Sequence, residues 1–279
     1  MRLADLHNDA ITELPRAKFL KFLATAERVC VECLFLSVWT TKMTDPLRQV
    51  QDARKLLDDV NTQIDLFLHI EDAWFIDEGN ILEVLACKPF SVGLTWNQNN
   101  NLAAGANGDG GLTALGKHIV EKLDDKGVVI DLAHLNKQSF NEVTKVLTAR
   151  GRRLFCSHTC FSDVNHHPRN LDYGQVQVIV ESGGIVGLAL VGDFLTSEKR
   201  STMRDVYEHI TYFIRNFGDD GIAIGTDLFG TENLPSGLRR YKDFARFEKF
   251  LVKKGLSHRT VHKIFYLNAK RFLDSYKQI

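Results

Sequence analysis

Eight short apolar runs punctuate this chain, and longer stretches of helical period separate them. The runs are Leu3–His7, Val29–Val38, Ile64–Ile70, Phe90–Thr95, Val128–Ala133, Leu154–Ser157, Gly184–Leu190 and Ile222–Thr226. Helical stretches between them include Pro46–Val60, Leu112–Lys126, Ser139–Ala149 and Met203–Phe217, with Gly127, Gly151 and Gly218 standing where a helix closes. This alternation is the pattern of βα units around a parallel sheet, and eight such units predict a (β/α)8 TIM barrel. No Pro- or Ser-rich linker, low-complexity tract or charge block interrupts the 279 residues, so residues 1–279 read as one domain.

A barrel gathers its chemistry at the C-terminal ends of its strands, where each apolar run stops. Here the first run ends in His7 and Asp9, the third in Glu71, the fifth in His134, the sixth in His158 and the eighth in Asp227. Residues two apart on a strand face the same side, so His7 and Asp9 can reach one ion together. Singly, each has an ordinary explanation: His134 as a core histidine, Glu71 as a neighbour of a helix start, Asp227 as a turn former. Together they place three imidazoles and three carboxylates around one mouth. The acids would repel one another without cations, so bound metal is expected.

The count points to two ions. His7 and Asp9 would hold the first, His134 and His158 the second, and Glu71 would bridge them at the roughly 3.5–4 Å separation of two-metal sites. Nitrogen and oxygen ligands of this kind suit Zn2+, and ligand type alone also admits Mn2+ or Co2+. A water shared by two such ions loses a proton near neutral pH and becomes a nucleophile. Asp227 is then left as the acid/base that moves the proton to a leaving group, and hydrolysis follows as the reaction class.

Composition narrows the partners. Lys plus Arg and Asp plus Glu both number 35, so no net field favours nucleic acid or an anionic membrane, and a small neutral or zwitterionic partner fits better. No apolar run approaches the ~20 residues of a membrane span, and the start MRLADLHND lacks the pattern of a secretory signal. The chain therefore reads as cytoplasmic. Its five cysteines are an odd number, and reduced thiols are expected. Cys30 and Cys33 form a C-x-x-C inside an apolar run, where cysteine serves as a small apolar residue.

The motifs D-L-H-N-D at the start, I-E-D at Glu71, V-G-L-T-W-N at Trp96, I-D-L-A-H at His134 and C-S-H-T at His158 resemble those of the renal or membrane dipeptidases, a branch of the amidohydrolase superfamily. H-P-R-N-L-D around Arg169, I-G-T-D at Asp227 and a closing L-N-A-K-R-F-L extend the resemblance over nearly the whole chain. It implies a bacterial-type metallo-dipeptidase with His7 and Asp9 on the first metal, Glu71 bridging, and His134 and His158 on the second. It further implies Asp227 as the catalytic acid/base and Arg169 as the clamp for a substrate carboxylate, the latter a fitting use of a bidentate guanidinium. Two zinc ions, dipeptide substrates that often carry a D-residue at the C-terminal side, and a homodimer are the family's habits. His166 and His167 read as exposed loop residues and His69 as a core histidine one layer below Glu71.

Two positions depart from the family pattern. Trp96 stands where the mammalian enzymes have a substrate-contacting histidine, so the indole N–H is at most a weak donor to substrate and the substrate range changes. Phe229 stands where a further acid is common, and makes the rim more apolar. Gly105 to Gly111 lacks the Lys and Ser/Thr of a phosphate loop and reads as a mobile flap near the mouth. Two other functions compete with a dipeptidase: a barrel hydrolase for another small amide, lactone or phosphoester, and a metal-stabilised barrel that binds without turnover.

Overall fold

The computed structural model describes residues 1–40 and 45–276. Its strands are β1 Leu3–Asn8, β2 Val31–Trp39, β3 Asp65–Glu71, β4 Ser91–Gly93, β5 Val129–Asp131, β6 Phe155–Thr159, β7 Ile185–Leu188 and β8 Ile222–Ile224. They lie side by side in chain order and close into a barrel, with β1 and β8 meeting in parallel where Asp5 faces Ile224. Helices connect successive strands, so the architecture is the (β/α)8 TIM barrel that the alternation predicts.

The four helices expected from periodicity form as Pro46–Asp59, Ala114–Asp125, Lys137–Ala149 and Met203–Phe217. Side chains fix where all four begin: Asp45 accepts from Arg48 N–H (3.1 Å) ahead of Pro46, Thr113 from Gly116 N–H (2.9 Å), Asn136 from Ser139 N–H (2.8 Å), and Thr202 from Arg204 N–H (3.2 Å). Gly127, Gly151 and Gly218 take φ values of +75°, +69° and +79°, the left-handed turn that ends a helix cheaply only with glycine. The Met203–Phe217 helix buries Val206, His209, Ile210 and Phe213, spacings of three and four that put one stripe on the barrel.

Most ladders are shorter than the apolar runs that announced them. Leu94 and Leu132 remain buried just beyond β4 and β5, because the chain turns over the barrel rim while still covered. Hydropathy follows burial, and so it overran the hydrogen bonding. The run from Val29 starts its strand only at Val31, because Val29 caps the helix Arg16–Arg28 and Cys30 turns the chain at φ +62°. Cys30 is therefore an exposed turn residue, and only Cys33 is the buried small residue on a strand.

Aromatic rings fill the N-terminal half of the barrel. Phe35 stacks on Phe67 and Phe155 with centroids 4.9 and 5.6 Å apart, and Phe90 packs edge-on at 5.2 Å. The helix Asn268–Tyr276 closes this end, setting Phe272 on Phe155 at 5.3 Å and Tyr276 against Phe90 at 6.1 Å. Apolar packing of this kind keeps water from beneath the polar layer at the opposite end. That opposite end carries His7, Asp9, Glu71, His134, His158 and Asp227.

Candidate metal centre

The barrel brings the six residues into one buried cluster. Glu71, the last residue of β3, divides its oxygens between two groups. Oε1 lies 2.9 Å from His134 Nε2 and 3.9 Å from His158 Nε2, whereas Oε2 faces His7 Nε2 at 3.7 Å. His7 Nε2 is also 3.3 Å from Asp9 Oδ2 and 3.8 Å from Asp227 Oδ1, and the Nε2 atoms of His134 and His158 are 2.9 Å apart. Three overlapping triads, His7–Asp9–Glu71, Glu71–His134–His158 and His7–His158–Asp227, each offer ligand atoms within 4.8 Å of one another.

This donor set fits metal ions. His7 Nε2 and Asp9 Oδ2 are buried and make no hydrogen bond, an arrangement expensive for polar atoms unless something else satisfies them. His134 Nδ1 faces Asn97 Oδ1 at 2.9 Å and His158 Nδ1 faces Ser157 Oγ at 2.8 Å, so each ring can give its N–H away from the cluster and turn an Nε2 lone pair inward. Lone pairs and carboxylate oxygens converging at these distances repel one another unless cations lie among them.

Protonation preferences follow the same field. Burial opposes charge on His7, but the carboxylates of Asp9, Glu71 and Asp227 outweigh it and push the imidazole up to about 10. Burial and Arg169 push His134 down to about 4, and burial with His7 and His134 holds His158 well below the usual range. Glu71 is depressed despite its burial, through His7 and His134. Asp227 is driven well above the ordinary carboxyl range by burial and by the neighbouring Asp9 charge. Protons thus settle where positive charge is wanted, and bound cations would displace them.

Arg169 is no solvated loop residue. Its side chain is buried, Nη2 donates to the His158 carbonyl (3.2 Å), Cζ lies 5.2 Å from the Phe194 ring centroid, and Nε has no partner. Trp96 is 40% exposed, with its ring 6.2 Å from His134 and 5.6 Å from Trp39, forming one wall of the mouth. Phe229 is also exposed and packs edge-on against Phe22 at 5.1 Å. His166 is exposed, whereas His167 is half-buried, accepts from Arg169 N–H (3.1 Å) and packs on Phe194. His69 is buried below Glu71 with Nδ1 2.8 Å from Ser91 Oγ.

Hydrogen bonds tie the Gly105–Gly111 segment, the expected flap near the mouth, to its neighbours. Asn107 N–H donates to Asn97 O (2.8 Å), Asn99 Nδ2 to Asp109 O (2.7 Å), and Asn136 Nδ2 to the carbonyls of Gly108 and Gly110 (both 2.9 Å). A Cβ on Gly105 would stand 2.3 Å from Trp96 O, so glycine there permits the backbone contact that fastens the segment.

The residue pattern did not mark the groups behind the candidate ligands. Ser37 Oγ donates to Glu71 Oε2 (3.2 Å), Asn97 faces His134, and Asp131 with Ser157 underlies His158. One signal was present: Asp131 is an acid inside the otherwise apolar run of β5, and a buried strand accepts an acid only when its lone pairs are satisfied. His134 and Asp227 also take positive φ, +66° and +59°, which aims their side chains from the rim into the cluster and which no residue pattern announced.

A closed parallel barrel with this constellation at its C-terminal rim is the arrangement of a candidate metal-dependent hydrolase. A family model, membrane dipeptidase (peptidase family M19), matches residues 23–279. The chain belongs to this family of metallo-dipeptidases, which act on small dipeptide substrates. It is 29% identical over 221 residues to a protein from the pqqA 5′ region of Klebsiella pneumoniae, covering 74% of this chain and 80% of that one. The fold matches an amidohydrolase from Pseudomonas aeruginosa with a TM-score of 0.84 at 21% identity, over 100% of this chain and 97% of the other. It also matches a metallo peptidase from Rhodobacter sphaeroides, liganded with a phosphinate mimic of the dipeptide L-Ala-D-Ala, with a TM-score of 0.82 at 18% identity over 98% and 99% of the two chains. Among the described residues, no helix is long and apolar enough to cross a membrane.

Proposed function

We propose that the protein is a two-zinc dipeptidase in which Glu71 would contribute one oxygen to each of two ligand groups. The observation that carries this reading is the division of the Glu71 oxygens, Oε1 toward His134 and His158 and Oε2 toward His7. His7 and Asp9 complete one ligand group, and His134 and His158 complete the other. Bound zinc would supply an activated water and polarise the scissile carbonyl. The chain supplies the remainder.

Asp227 is the proton carrier. It stands 3.8 Å from His7 at the open side of the cluster, outside the two ligand groups, and in the metal-free site burial and the adjacent Asp9 charge favour its protonated form. Such a carboxyl accepts the proton of the attacking water and returns it to the leaving amine. Arg169, with an unpartnered Nε, holds the free carboxylate that a dipeptide carries on the residue next to its only peptide bond. Trp96 forms an apolar wall instead of a charged one, favouring an apolar side chain beside it. The Rhodobacter neighbour's L-Ala-D-Ala mimic makes L,D-dipeptides the first substrates to try.

Hydrolysis of a mixed panel of L,L- and L,D-dipeptides by zinc-reconstituted protein, beside a chelated sample, tests the reading. Turnover is expected with zinc, is lost on chelation and returns on adding zinc back. A protein holding two metals per chain that turns over none of the panel would overturn it.

A further inference from the structure

Below the ligand layer, one hydroxyl faces imidazoles from both ligand groups. Ser157 Oγ lies 2.8 Å from His158 Nδ1 and 3.5 Å from His7 Nδ1, and it also contacts Asp131 Oδ2. The other Asp131 oxygen, Oδ1, accepts the backbone N–H groups of Ser157 (2.8 Å) and Ala133 (3.1 Å). Asp131, Ser157, His7 and His158 are all buried. Nothing in the proposed reaction uses Asp131 or Ser157.

A serine hydroxyl has one hydrogen and two lone pairs. A carboxylate only accepts, so contact with Asp131 commits the hydroxyl hydrogen to Oδ2. Both remaining lone pairs can then only accept, and the groups facing them are the Nδ1 atoms of His158 and His7. Each ring satisfies this arrangement by carrying a hydrogen on Nδ1, which leaves Nε2 as the nitrogen turned to the ligand side, its lone pair available in His7 once a cation displaces the second proton. We propose that Asp131 and Ser157 form a tautomer lock, positioning residues that fix the ligating form of His158 and His7, one ligand from each group. The proposal rests on the metal-centre reading above and concerns how the ligands are prepared.

The lock predicts an unusual order of mutant effects. In Asp131→Asn the amide oxygen must stay on the two backbone N–H groups, because an NH2 there would face two donors. The NH2 then points at Ser157 Oγ and occupies a lone pair. The hydroxyl hydrogen is pushed toward an imidazole Nδ1, which moves the ring hydrogen to Nε2 and blocks it as a ligand. Ser157→Ala merely leaves the rings free to take either form. Asp131→Asn should therefore harm metal binding more than Ser157→Ala, although it preserves shape better. Adding Ser157→Ala to Asp131→Asn should restore affinity.

The test is Zn2+ binding to the metal-free protein in competition with a chromogenic chelator, with two-dimensional 1H–15N spectra of the histidine rings recorded near pH 8. Asp131→Asn is expected to weaken zinc by about tenfold or more, the range for losing a group behind a metal ligand. Ser157→Ala should weaken it less, and the double variant should bind more tightly than Asp131→Asn alone. The His158 ring should carry its hydrogen on Nδ1 in the parent protein and on Nε2 in Asp131→Asn, a readout independent of metal and activity. A parent His158 protonated on Nε2, or a double variant no better than Asp131→Asn, would overturn the lock. If the parent protein binds no zinc while His158 carries its hydrogen on Nδ1, the two-metal reading fails and the lock stands. Far-ultraviolet dichroism of each variant separates loss of fold from loss of the lock.

Discussion

Glu71 Oε1 stands 2.9 Å from His134 Nε2, leaving Oε2 free to face the His7 side of the cluster. A single carboxylate therefore touches both ligand groups, and Ser37 steadies its outer oxygen at 3.2 Å. Glu71→Gln keeps the shape but removes the charge and one acceptor. Metal content, measured by elemental analysis after dialysis, should fall at both sites together, and dipeptide turnover should fall with it. Loss of one ion with full retention of the other would sink the bridging role.

Asp227→Asn should lower kcat by about 10²- to 10⁴-fold, the usual range for a general acid/base, while metal stays bound. Asn tolerates the positive φ of +59° at this position, so the fold should survive the change. Equal turnover by the variant and the parent at saturating dipeptide would rule out the assigned proton carrier.

Gly230 is a third position where a small change reaches the site. A Cβ there would lie 2.2 Å from Asp227 Oδ1 and 2.5 Å from Asp9 Oδ2. Gly230→Ala must displace one or both carboxylates, so it should cut activity by at least about tenfold, since small misplacements of reacting groups are costly. Its thermal midpoint should move little, because the carboxylate ends can shift without repacking the barrel. Unchanged kinetics would mean that neither carboxylate is held where the structure puts it.

His209 ties the pH dependence of stability to a site remote from the metal. It is buried, accepts Phe161 N–H on Nδ1 (3.2 Å) and places Nε2 3.0 Å from Leu195 O. Burial pushes it down to about 4, against 6.5 for the free side chain. Above the unfolded value neither state is protonated, and the full stability is present. As pH falls below 6.5 the unfolded chain takes up a proton that the folded chain refuses, and stability drops until about pH 4, a loss on the order of 3 kcal/mol. Urea unfolding of chelated protein should show an acid decline to which His209 adds, and His209→Gln, whose amide can serve both partners, should make it shallower. Parallel declines in the two proteins would exclude His209 as the source.

Much of this protein is written along its chain. Periodicity set the eight βα units, because amphipathic helices and buried parallel strands leave hydropathy periods that differ. It also located the rim, because polar residues that end apolar runs have few other places to go. His7, Asp9, Glu71, His134, His158 and Asp227 could therefore be named before any coordinates. Only the tertiary structure decided how they meet. Barrel closure sets β1 beside β8 and carries residues from five strands to within a few ångströms, contacts with no local signature. The division of the Glu71 oxygens, the positive φ of His134 and Asp227, the burial of Arg169, and the reach of Ser157 to two imidazoles all depend on side-chain direction in three dimensions. Hydropathy records only whether a residue is covered, and it carries no record of what covers it.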